Sequence, residues 1–170
     1  YPGSLEAVRL LLKADPAAAE TELLRLVNLF PLDESPVGAR KMLAALYRRQ
    51  LRHPEERSLL EDHLTLTAGD VDAAVRLMEV SLLQEDWKAA LAAGQMALAV
   101  DPAQSSVLRQ LANAAEKASS KAVAVRCLRG LLELDASQAP VWRFRIAGLL
   151  RLDDPREARR QLRSEEHTAE

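Results

Sequence analysis

The chain has 170 residues, a formal net charge of −2 and a 48% hydrophobic content. Leu occurs 31 times and Ala 29 times, against 11 Val, a single Ile (Ile146) and 4% aromatics. This excludes a β-sandwich or barrel, whose pleated surfaces need β-branched and aromatic side chains, and disorder throughout. With a pI near 6.0 there is no general basic field for nucleic acid or membrane surfaces.

The chain begins at Tyr1 with no initiator Met and no leader-like apolar run, so it reads as a fragment of a longer protein whose compartment is open. Apolar positions three and four apart, punctuated by Asp-Pro, Pro and Gly-Asp turns, predict ten helices. They run over 3–13, 16–29, 36–51, 54–66, 70–83, 86–100, 103–118, 120–134, 138–152 and 155–163. The short connections favour antiparallel neighbours. Asp15, Asp101 and Asp154 each precede a proline, which suits an N-cap followed by Pro in the first turn; Asp70 and Asp86 are further N-cap candidates. The tail at 164–170, Ser-Glu-Glu-His-Thr-Ala-Glu, reads as a frayed end or the translation of a sequencing adapter, and no functional residue is placed there.

The helix pairs repeat. Asp101 and Asp135 lie 34 residues apart, as do Leu77 and Leu111, Ala90 and Ala124, and Ala124 and Ala158. A 34-residue period of helix–turn–helix units marks a tetratricopeptide-type array. The stretch 71–102 resembles that family most closely, with Leu77 in its first helix, Asp86-Trp87 opening the second, then Ala90, Gly94, Ala97-Leu98 and Asp101-Pro102. Met78 stands where the family favours a small residue, and Ala136 replaces the next closing proline. The resemblance implies an all-α, right-handed solenoid of about five units, at 1–34, 35–69, 70–103, 104–137 and 138–163. It further implies a non-enzymatic interaction module whose first helices line a concave groove for a peptide or helix of a partner protein.

Residues of the first helices that point away from their paired second helices are expected at Lys41, Arg48, Arg76, Glu79, Arg109, Asn113, Glu116 and Arg143. This set is mostly basic and suits an acidic peptide or a C-terminal carboxylate. Arg109 and Asn113, four apart on one helix, are similar to the Lys and Asn with which some family members grip a ligand carboxylate. Phe144 falls where such a clamp needs a further polar group. Uncapped ends leave self-association open. The alternative is an accessory repeat region, of a bacterial Leu/Ala/Arg-rich kind, attached to an enzyme such as a peptidase.

No other chemistry is predicted. His53, His63 and His167 lack metal-ligand spacing and read as solvated. Cys127, among Val123, Val125 and Leu128, reads as a buried small hydrophobe. Trp87 and Trp142 suit packing, and Gly94, Gly130 and Gly148 suit close helix approach. The arginines of 156–163 mix with Glu157 and lack aromatics, which fits a solvated terminal helix better than a nucleic-acid site. No cofactor and no metal are expected.

Overall fold

A computed structural model describes residues 2–33, 35, 38–151 and 153–163; the tail with His167, and Pro36, Val37 and Leu152 at the ends of two expected helices, lie outside them. The described residues form ten α-helices and one short 3-10 turn, with no strand among them. A first compact unit ends at Asp86. It holds α1 (Pro2–Ala14), α2 (Pro16–Leu29), α3 (Ala39–Arg49), α4 (His53–Leu66) and α5 (Val71–Leu83). A second begins at Trp87. It holds α6 (Trp87–Val100), α7 (Ser105–Lys117), α8 (Lys121–Leu134), the 3-10 turn Ala136–Gln138, α9 (Ala139–Leu150) and α10 (Pro155–Arg163). Within each unit every helix packs on the next in sequence.

The starts follow local chemistry. Asp15 accepts the Ala17 and Ala18 amides, Asp70 that of Ala73 and Asp154 that of Glu157, each satisfying donors that a helix start leaves unpaired. Asp101 departs from expectation. Its carboxylate accepts the Ala103 amide inside a turn, Gln104 takes the N-cap position and α7 begins at Ser105, so Pro102 precedes the helix. The helix expected from 36 is described from Ala39, with extended Gly38 as its N-cap.

The 34-residue period is visible atom by atom. Leu51, Glu85 and Ser119, one period apart, each adopt the left-handed conformation, with φ of 57°, 56° and 56°. The amide after each reaches back to the helix that precedes it: Arg52 to the Tyr47 carbonyl at 3.0 Å, Asp86 to Ser81 at 2.9 Å and Ser120 to Ala115 at 2.7 Å. These are Schellman closures with a non-glycine residue at the left-handed position.

Burial repeats with the same period. In α3 the buried positions are Ala39, Arg40, Leu43, Ala44, Leu46 and Tyr47. Their counterparts in α5 are Ala73, Ala74, Leu77, Met78, Val80 and Ser81, and in α7 Val107, Leu108, Leu111, Ala112, Ala114 and Ala115. Six positions over nine residues cover two adjacent flanks of a helix, more than one partner occupies. Among the second helices, Glu56, Ala90, Ala124 and Ala158 form one buried series. Gly130 fits the expected close approach, because a Cβ there would stand 3.3 Å from Leu108 Cδ1. Gly148 does not: a Cβ there would meet nothing within 4 Å.

The first pair is out of step. Ala19, Leu23 and Leu26 of α2 match Glu56, Leu60 and His63 of α4 at an offset of 37, because the connection from Phe30 to Gly38 is long. Their common core joins Leu5, Val8, Leu23 and Leu26 to Leu43 and Tyr47. Arg52 clasps Glu20 at 2.8 and 2.9 Å, and the Tyr47 hydroxyl donates to the same carboxylate.

The left-handed turn makes a prediction. Leu51 is exposed, so Leu51→Gly loses little packing and relieves the steric cost of a Cβ at positive φ. Thermal unfolding followed by circular dichroism should show a gain of about 0.5–1 kcal/mol, with no gain for Leu51→Ala.

Candidate functional site

In the first unit the expected groove residues lie beside a buried polar cluster. Glu56 occupies the position that Ala90, Ala124 and Ala158 fill in the following repeats, and it is 1% exposed. Arg76 answers it from α5 with a bidentate grip, Nε to Oε1 at 2.6 Å and Nη2 to Oε2 at 3.0 Å. Its remaining Nη1 donates to Glu79 at 2.9 Å. Lys41 of α3 donates to Asp70 at 2.8 Å. Asp70 also receives His63 Nε2 of α4 at 2.9 Å and caps α5 through the Ala73 amide. Burial pushes the Asp70 carboxyl up, but the Lys41, His63 and Ala73 hydrogen bonds outweigh it and hold the group at about 2. Lys41, Arg76 and Glu79 are therefore engaged within the fold, while Arg48 in the last turn of α3 is exposed.

His63 corrects an expectation. It is buried, not solvated, because it sits one and two periods before Ala97 and Leu131, at an inward-facing position. Its Nε2 lies 2.9 Å from Thr67 Oγ1 as well as from Asp70, and its Nδ1 has no partner. His53 Nδ1 stands 3.6 Å from Glu56. Among the described residues no group of three or more His, Cys, Asp or Glu could hold a metal ion.

In the second unit α7 carries Arg109, Asn113 and Glu116 on one exposed face, at spacings of four and three. Arg145 of α9 reaches them. Its Nε and Nη2 donate to Glu116 Oε1 at 3.0 and 2.7 Å, and Nη2 also donates to Asn113 Oδ1 at 2.8 Å. Trp142, which is buried, lies 5.8 Å below the same guanidinium. Arg145 thus lies beside the α7 face, where the 34-residue period after Arg109 selects Arg143. The available signal was a broken pattern: Arg145 stands at the repeat position of Leu77 and Leu111. Arg143 itself is half-buried. Asp135 lies below its usual carboxylate range chiefly because Ser137 donates to it, with Arg109 contributing through its charge.

Cys127 is buried, and burial pushes its thiol up, away from a reactive thiolate. A cleft of about 1230 Å³ is lined by α6 and α8 through Leu98, Val125, Arg126, Arg129 and Gly130, with Leu111 of α7. No helix is long and apolar enough to cross a membrane among the described residues.

Two stability predictions follow from the cluster. Arg76→Ala leaves Glu56 buried without its counter-charge, and urea unfolding should show a loss of about 3 kcal/mol. The double variant Glu56→Ala/Arg76→Gln, which copies the Ala90 and Gln110 of the next repeat, should recover most of it. Because the folded-state carboxyl of Asp70 lies below its unfolded value, its contribution is fully present above about pH 4 and is lost as pH falls through about 2. The gap between the natural chain and Asp70→Asn should be about 2 kcal/mol at pH 6 and shrink progressively in urea titrations carried down to pH 2.

No family model matches the sequence, and no curated protein matches it. Solved structures do. MamA 41-end from Desulfovibrio magneticus RS-1 is 15% identical over 95% of this chain and 90% of its own, with a TM-score of 0.63. YrrB, described as a TPR protein with an unusual peptide-binding site, is 16% identical over 93% of this chain and 80% of its own, at 0.67. A chain of the Naa15/Naa10 complex bound to HypK-THB is 15% identical and gives 0.70; this chain aligns over 98% of its length and spans 25% of that one. With ten helices and the 34-residue recurrence of caps, turns and burial, these likenesses show the fold: an all-α array of tetratricopeptide-like helix–turn–helix repeats.

Proposed function

We propose that this chain is a non-enzymatic protein-interaction module that holds a peptide segment of a partner against the exposed polar face of its first helices. The observation that carries the reading is the α7/α9 face of the second unit. Arg145 bridges Asn113 and Glu116, so their side chains are set before any ligand arrives. Arg109 stands exposed one turn away on α7. Groups held in place lose less side-chain entropy on binding than free ones.

The chemistry selects for a carboxylate. Arg109 offers a planar donor fork, and with its oxygen engaged by Arg145, Asn113 keeps its amide nitrogen as a donor. Glu116 is neutralised by Arg145, which leaves Arg109, exposed on the same helix, as the cation offered to a ligand. In the first unit, Arg48 of α3 is exposed, whereas Lys41, two periods before Arg109, and Arg76 have their charges met by Asp70 and Glu56. The bound segment is thus an acidic peptide or a free C-terminus. YrrB, with its peptide-binding site, is a neighbour whose described property agrees with this reading.

The test is titration of the chain with short acidic peptides carrying free or amidated C-termini, read by isothermal calorimetry. Binding should weaken by roughly tenfold or more in Arg109→Glu, and the free carboxyl should bind tighter than the amide if the terminus is gripped. Affinity that survives Arg109→Glu and falls in Arg126→Glu would move the site to the α6/α8 cleft and contradict the reading.

A further inference from the structure

The cleft between the second helices α6 and α8 lies inside the second unit, with described helices on either side. Both walls pack on α7, whose buried Leu108 and Leu111 form an apolar floor. Gly130 keeps the α8 wall low over that floor, since a Cβ there would stand 3.3 Å from Leu108 Cδ1. The cleft, about 1230 Å³, runs along α8 from Lys121 to Glu133. At 1.5 Å of rise per residue that span is about 18 Å, or about three helical turns. A further repeat in series would pack on the α9/α10 hairpin, so lengthening the array does not fill this space.

The two walls differ in charge. α6 carries a single charged residue, Lys88, in 14 residues. Its outward positions Ala89, Ala92, Gln95 and Ala99 are exposed. Counting by 34, Ala92, Gln95 and Ala99 are answered on α8 by Arg126, Arg129 and Glu133, which are exposed as well. A surface helix ordinarily turns a charged face to water, and a helix without one is the kind that a neighbour covers. The α8 wall is charged in a fixed order. Lys121 at its start is met by Asp153 at 2.8 Å. Arg126 forms no ion pair among the described residues, and Arg129 comes no nearer to Glu157 than 3.8 Å. Glu133 follows one turn further on.

We propose that the α6/α8 cleft docks an amphipathic helix of a partner protein. Its apolar face lies on the Leu108 and Leu111 floor, and an uncharged flank of small residues meets Ala99 and Gln95 of α6. Its other flank carries two carboxylates opposite Arg126 and Arg129 and a cation opposite Glu133. A nucleic acid is disfavoured, because the α6 wall offers its phosphates no cation. This occupant is held by other residues than the carboxylate ligand of the α7/α9 face, and neither site needs the other.

The probe is a designed, fluorescein-labelled and C-terminally amidated helix of about sixteen residues. It has Leu on one face, Ala on one flank, and on the other flank two Glu followed by a Lys in the spacing of Arg126, Arg129 and Glu133. The control peptide has the three charges reversed. Fluorescence anisotropy against the 170-residue chain should show the probe binding at least roughly tenfold tighter than the control. The double variant Arg126→Glu/Arg129→Glu should invert that order. Ala99→Arg, at an exposed helix position, adds a cation yet fills the α6 wall, and it should weaken the probe by a similar factor. Arg109→Glu should leave the probe unaffected. Equal binding of the two peptides, no binding by either, or a probe indifferent to Ala99→Arg overturns the proposal. Weakening by Arg109→Glu in place of the cleft variants also overturns it and leaves the α7/α9 reading standing. So does a concentration-dependent dimer in sedimentation that Ala99→Arg abolishes, which would assign the cleft to a second copy.

Discussion

A first helix in this fold has to be covered on two flanks. The six buried positions of α3 recur at 34-residue steps in α5 and α7, and six positions in nine residues are too wide a stripe for a single partner helix. Within the two units α3 is accordingly covered by α4 and α2, and α7 by α8 and α6. The remaining features answer that requirement. Schellman closures at Leu51, Glu85 and Ser119 turn the chain at equal intervals, and the Glu56–Ala90–Ala124–Ala158 series keeps the second helices thin where a first helix comes near. At α9/α10 Phe144 and Leu162 are exposed.

The first unit meets the same requirement with charge. Glu56 and Arg76 fill a contact that Ala90 and Gln110 fill one period later, and His63 stands where Ala97 and Leu131 stand. An ion pair with one member buried adds little net stability, because desolvation offsets attraction, but it penalises any arrangement that separates the partners. Asp70 acts in the same way on three helices at once, as the cap of α5 and the acceptor for His63 and Lys41. Residues that look like ligand-binding cations in the sequence are here the fasteners of α3, α4 and α5.

Much of the fold was legible because it rests on local, periodic signals. Asp-Pro starts, apolar spacing and the 34-residue recurrence place all ten helices within a few residues. The boundary at α7 was missed because Asp101 closes a turn on Ala103 as readily as it caps a helix. The site was less legible. Exposure of a first-helix arginine depends on what the neighbouring helix offers, and Glu56 gave no sign of lying opposite Arg76, twenty residues on. Counting by 34 selects Arg143, whereas Arg145, the side chain that reaches Asn113 and Glu116, breaks the apolar pattern at the Leu77 and Leu111 position. The acidic sequence neighbours of His63 suggest an outer face, while its repeat position points inward.

Native-state hydrogen exchange on the intact chain tests the central claim, that coverage on both flanks determines where this array is held firm. Within the second unit, the amides of α7 and α8 should exchange slowest and those of α10 faster by orders of magnitude, since α10 contributes one buried residue, Ala158, to an open face. Protection of α10 equal to that of α7 and α8 would contradict the account.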